Sequence, residues 1–94
     1  MPVIALTHTY VAGLQARPPS ERIEVWDERT PGLCLRIGPN GNGAWSFRYR
    51  PKSGKGYQRI TLGRLADLTL ADARERAARH RVAVADGGDP QHEL

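Results

Sequence analysis

The chain has 94 residues, 14 Lys+Arg against 10 Asp+Glu, and a formal net charge of +4. That length fits one small domain and leaves no room for a multi-step enzyme with its own cofactor domain. A single cysteine, Cys34, excludes an intramolecular disulfide and a cysteine-based metal cage.

The predicted elements run as follows. Thr7 caps a short helix by accepting an early backbone N–H, with Leu6 packed ahead of it and Val11 and Leu14 on one side. Gly13 weakens this helix and Pro18-Pro19 ends it. Four strands follow. Residues 23–27 alternate, and Pro31-Gly32 turns the chain. Within residues 33–37, Leu33, Leu35 and Ile37 point one way, Cys34 and Arg36 the other. A loop dense in turn residues spans 38–43. Along residues 44–50, Trp45, Phe47 and Tyr49 share a face, while Ser46, Arg48 and Arg50 take the opposite one. A second turn covers 51–56. Residues 57–62 form the last strand, with Ile60 and Leu62 inward, Tyr57, Arg59 and Thr61 outward, and Gly63 ending it.

A capping box, Thr69-Leu70-Ala71-Asp72, opens the final helix, and Gly87-Gly88 stops it. Leu70, Ala73, Ala77 and Val84 line one side, with Ala71, Ala78, Val82 and Ala85 beside it. Acid-first pairs four residues apart, Asp72/Arg76 and Glu75/Arg79, suit its solvated side. Arg74 and Arg81 fall inside the apolar arc, where snorkelling accounts for them. A pairing with an acid of the first long strand, such as Asp27, fits the pattern, though nothing in the sequence specifies it. The expected fold class is α+β: a three- to four-stranded antiparallel sheet packed against a C-terminal helix, with a short N-terminal helix.

The charge is unevenly placed. Residues 1–35 hold three cations and four anions, and residues 65–94 hold four cations and six anions. Between them, Arg36, Arg48, Arg50, Lys52, Lys55, Arg59 and Arg64 stand with no acid at all. A solvated surface ordinarily mixes both signs, so this stretch reads as a footprint for a polyanion. Strand alternation gathers Arg36, Ser46, Arg48, Arg50, Tyr57, Arg59 and Thr61 on one sheet face, flanked by Lys52, Lys55 and Arg64. Arginine forks suit guanine edges and phosphates, and a β-ribbon fits the major groove. RNA binding ranks below this, because it asks for outward aromatics to stack bases and Tyr57 alone answers.

Nothing catalytic competes. His8, His80 and His92 are scattered without zinc-ligand spacing, and Cys34 has no neighbouring His. The glycine-rich 38–43 loop lacks the helix and lysine of a phosphate-binding loop. No metal, cofactor or small-molecule substrate is expected. No apolar run approaches the ~18 residues of a membrane span, and residues 1–6 lack the features of a signal peptide, so a cytoplasmic protein is expected.

The assembled pattern resembles the N-terminal arm-type DNA-binding domain of P4-like phage and genomic-island integrases, of the tyrosine recombinase family. The matching pieces are Leu6-Thr7, Asp27, Pro31 to Ile37, Trp45 to Arg50, Ile60-Thr61-Leu62-Gly63, Leu68 to Arg74, and Gly88-Asp89-Pro90. The resemblance implies an antiparallel sheet backed by the last helix, its free face set into double-stranded DNA at the attachment-site arms. It also implies that residues 6–88 are the structured part, and that 89–94 begin a linker to core-binding and catalytic domains that this chain does not contain. Carried onto this sequence, the contacts would be Arg36, Ser46, Arg48, Arg50, Arg59 and Thr61, with other integrase protomers as partners. One departure is Pro51, which follows the basic strand directly and leaves the hairpin register, and so the reach of Lys52 and Lys55, open. The alternative is a protein-interaction module that assembles integrase protomers.

Overall fold

The computed structural model describes residues 3–51 and 56–87. Its elements in order are β1 (Val3–Ile4), α1 (His8–Ala16), β2 (Ile23–Asp27), β3 (Leu33–Ile37), β4 (Gly43–Tyr49), β5 (Gln58–Arg64) and α2 (Leu70–Ala85). The five strands form one sheet in chain order. Neighbours from β2 to β5 pair antiparallel, as the alternating runs and short turns require. The sheet gains a strand over the expected three or four, because β1 adds to β2 in parallel, Val3 opposite Trp26 and Ile4 opposite Asp27. Two paired residues are too few to leave an alternation signal.

The inner face carries the core. Val25, Leu33, Leu35, Ile37, Trp45, Phe47, Tyr49, Ile60 and Leu62 are all buried. The helix α2 covers them with Leu70, Ala73 and Ala77, whose short side chains let its backbone approach β3, β4 and β5. Its apolar stripe is narrower than the sequence suggested. Val84 is half-buried, but Ala71, Ala78 and Ala85 are exposed, and Val82 is 62% exposed. The link from β5 to α2 contributes Leu65 and Leu68 to the core, and Trp45 Nε1 donates to the Leu68 carbonyl at 3.1 Å. That bond satisfies the only polar atom of a fully buried indole.

Both helix starts follow the sequence. Thr7 Oγ1 accepts from Tyr10 N at 3.1 Å, and Leu6 is buried just ahead of it. Thr69 Oγ1 accepts from Asp72 N at 3.1 Å while Asp72 Oδ2 accepts from Thr69 N at 3.3 Å, completing the capping box. Of the two helical ion pairs expected, Glu75 with Arg79 forms. Asp72 is engaged in the cap, and Arg76 Nη1 instead donates to the Leu62 carbonyl at 3.2 Å.

Arg74 does not snorkel. Its Nε donates to Asp27 Oδ2 at 2.8 Å, and its Nη2 donates to Asp27 Oδ1 at 3.2 Å and to the Leu6 carbonyl at 2.7 Å. Asp27 Oδ1 also accepts from Leu6 N and Arg29 N. Burial pushes the Asp27 carboxyl up. The hydrogen bonds from Arg74, Leu6 and Arg29, together with the Arg74 charge, outweigh it and hold the group below its ordinary value. This one carboxylate ties β2, the start of α1 and α2 together.

Two glycines are set by close approach. Gly32, at φ 94°, turns β2 into β3, and a Cβ there would lie 2.5 Å from the Arg48 carbonyl oxygen. Gly63 does not end the last strand. It sits inside β5 opposite Trp45, where a Cβ would lie 2.6 Å from Leu68 Cδ1. A bulge falls beside it: Ser46 pairs with Thr61 and Trp45 with Gly63, so Leu62 is the extra residue.

Candidate nucleic-acid interface

Among the described residues no helix covers the outer face of the sheet, and pairing registers arrange its side chains in rows. Glu24, Arg36, Ala44 and Arg64 form one row across β2 to β5. Trp26, Cys34, Ser46 and Thr61 form the next, and Arg48 opposite Arg59 forms the third. The bulge matters here. Strict alternation from Thr61 would send Arg64 inward, and the extra residue returns it to the outer face.

Tyr57 is 62% exposed, and Arg50 and Thr61 are exposed as well. The Arg36 side chain is 43% exposed and that of Arg59 is 32%. Arg48 is half-buried. Arg64 is open to solvent with its Nε 3.0 Å from Asp67 Oδ2. Lys52 and Lys55 lie outside the described residues. Ser46 departs from expectation: it faces outward but is 3% exposed, and its Oγ has no hydrogen-bond partner among the described residues. Cys34 beside it is fully buried, and burial, followed by the Glu24 charge, pushes its thiol up.

The cover over these two residues is the arginines themselves. Arg59 Nη1 of β5 reaches Glu24 Oε2 of β2 at 3.1 Å, and so must lie across the two strands between. Arg36 Nε meets the same oxygen at 2.8 Å. Arg48 leans onto Trp26, its guanidinium carbon 4.8 Å from the ring centroid, and lies 4.4 Å from the Tyr57 ring. Arg59 also stands over Trp26, at 5.8 Å.

Two members of this face were missed by reading the acid-free stretch alone. Glu24 and Trp26 belong to β2, ahead of that stretch, yet share its face. The signal was available: with Ile23 and Val25 inward, parity sends residues 24 and 26 outward. Among the described residues the face therefore carries one acid, Glu24, within its rows, and a second aromatic, Trp26, besides Tyr57. Trp26 is 7% exposed, so it is a floor beneath guanidinium groups and not an open stacking platform.

At the end of the sheet lies an open cleft of about 480 Å³, mostly apolar, with Phe47, Tyr49 and Val84 in its wall. Arg48, Arg50, Tyr57 and Arg81 are among its lining residues. No helix among the described residues is long and apolar enough to cross a membrane. The surface is thus a sheet face of guanidinium groups with hydroxyl and ring neighbours, suited to a polyanion with flat, hydrogen-bonding edges.

Comparison with known proteins places the chain in a family. The Arm DNA-binding domain family matches residues 6–94. The chain is 37% identical over 75 residues to the prophage integrase IntZ of Escherichia coli strain K12. That match spans 80% of this chain and 18% of the relative's length. The chain belongs to the Arm DNA-binding domain family and is a DNA-binding module.

Proposed function

We propose that the chain grips the arms of an attachment site through the outer sheet face and so supports site-specific integration by a phage-type recombinase. Arg36, Arg48, Arg50, Arg59 and Arg64 supply the charged contacts, Thr61 and Tyr57 add neutral ones, and Lys52 and Lys55, outside the described residues, add positive charge. Ser46 stays beneath the arginines unless they lift. In this reading strand cleavage belongs to other parts of the recombinase, in the cytoplasm, and the module itself does no chemistry. The observation that carries the reading is the alignment of arginines from three adjacent strands on one face that no described helix covers.

Titration of a labelled attachment-arm duplex between low and high salt tests it. About four to six phosphate contacts give a log–log slope near −4 to −5. Arg59→Ala lowers affinity without unfolding the domain, because its side chain is one-third exposed and outside the core. Binding that ignores salt sinks the proposal. Oligomers seen by light scattering, with no affinity for any duplex, favour the protomer-assembly role instead.

A further inference from the structure

The arginines of the outer face are held in two different ways. Arg36 and Arg59 both lie against one carboxylate oxygen of Glu24, and Arg59 donates to it, so each is already paired with an acid. Arg48 has no acid partner among the described residues. Two rings bear on it instead, Trp26 at 4.8 Å and Tyr57 at 4.4 Å. Rings restrict where a guanidinium can go without consuming its N–H donors. Preorganised donors with no internal competitor are what bidentate recognition of a base edge demands, whereas a phosphate contact tolerates a mobile cation.

We propose that Arg48 is the base-reading residue of this face, with guanine as its target, and that Trp26 and Tyr57 are positioning residues that hold its guanidinium. Arg36 and Arg59 then serve the phosphates, exchanging Glu24 for the backbone. This assignment rests on the DNA-facing role of the outer sheet and adds to it a division of labour. In this assignment Trp26 acts only through Arg48 and touches no DNA itself.

The experiment selects a preferred duplex from a randomised pool with the 94-residue chain, then titrates that duplex and a scrambled one. Arg48→Lys keeps the charge and removes the fork. It weakens the selected duplex about 5- to 100-fold and leaves the scrambled duplex within about twofold, the range expected for losing one bidentate base pair contact. Tyr57→Leu follows the same pattern more weakly, and Tyr57→Phe restores discrimination, since the ring and not the hydroxyl is at work. Tyr57 is exposed, so these variants keep their fold, and they carry the test, because Trp26, which is buried, also underlies Arg59 at 5.8 Å.

Several results overturn the proposal. Equal loss on both duplexes from Arg48→Lys makes Arg48 a phosphate contact. Discrimination lost in Tyr57→Phe points to the hydroxyl. A wild-type chain that binds both duplexes equally reads no base, yet leaves the DNA-binding role standing. A chain that binds neither removes both.

Discussion

Two carboxylates of β2, three residues apart, face opposite sides of the same sheet and meet arginines on opposite terms. Asp27 points inward, its side chain fully buried, and takes a two-point grip from Arg74. Glu24 points outward, 27% exposed, and offers one oxygen to Arg36 and Arg59 together. Water decides the difference. A buried charge cannot be abandoned, so the Asp27–Arg74 pair fixes architecture. A pair near water is weak and exchangeable, so the arginines around Glu24 can be surrendered to another anion. One strand thus supplies a permanent joint on one face and a provisional one on the other.

The largest effect is expected from breaking the inner pair. Arg74→Ala leaves the fully buried Asp27 side chain without its cation and lowers stability by about 3 kcal/mol. For a chain of this size that corresponds to a fall in thermal midpoint on the order of 15 °C. Asp27 is held below its ordinary value of 3.8, so its contribution is complete above that pH and is lost as pH falls through the still lower folded value. The deficit of the variant therefore narrows in acid below 3.8. Thermal melts at pH 7 and pH 3 read both effects. A loss under about 1 kcal/mol at neutral pH would place the inner pair among ordinary surface pairs and erase the contrast.

How far these joints could be read from the chain depends on what alternation encodes. Strand parity placed the inner residues Leu33 to Leu62 in the core and Arg36, Arg48 and Arg59 on the far face, because a period of two needs no tertiary knowledge. Capping chemistry placed both helix starts for the same local reason. Parity does not reveal that Arg74 of α2 reaches Asp27, 47 residues away. It is also blind to a bulge, so the inward setting of Gly63 and the outward return of Arg64 escaped it. Ser46 shows the remaining gap. Its direction was legible but its burial was not, because long arginines from other strands lie over it. Charge counted by segment separated Glu24 from cations that it touches in space.

A smaller effect sharpens the outer half of the comparison. Glu24→Gln removes the one acid of the outer rows and frees Arg36 and Arg59. Affinity for a scrambled duplex should rise several-fold at low salt, and the gain should fade as salt screens it. Stability should change by less than about 1 kcal/mol, as for other partly exposed pairs. Parallel duplex titrations and denaturant midpoints give both quantities. If affinity falls on every duplex instead, Glu24 holds its arginines ready for DNA, and the outer joint is as structural as the inner one.

The smallest effect concerns the inner face alone. His80 of α2 stacks on Phe47, ring centroids 6.3 Å apart and planes 22° apart. Burial holds its imidazole below the ordinary value of 6.5, because the charged form loses its water. A base whose folded value is depressed binds fewer protons folded than unfolded near that pH. Its contribution to stability is therefore complete above 6.5 and declines as pH falls through the folded value. Urea midpoints at pH 7.5 and pH 5.5 should show the wild type losing more stability than His80→Gln. DNA affinity should not separate the two proteins at either pH, because His80 contacts Phe47 on the side of the sheet away from Glu24 and Arg48. A pH-dependent difference in duplex binding between them would mean that charge on the inner face is felt across the sheet, and that the two faces are less independent than the two carboxylates of β2 imply.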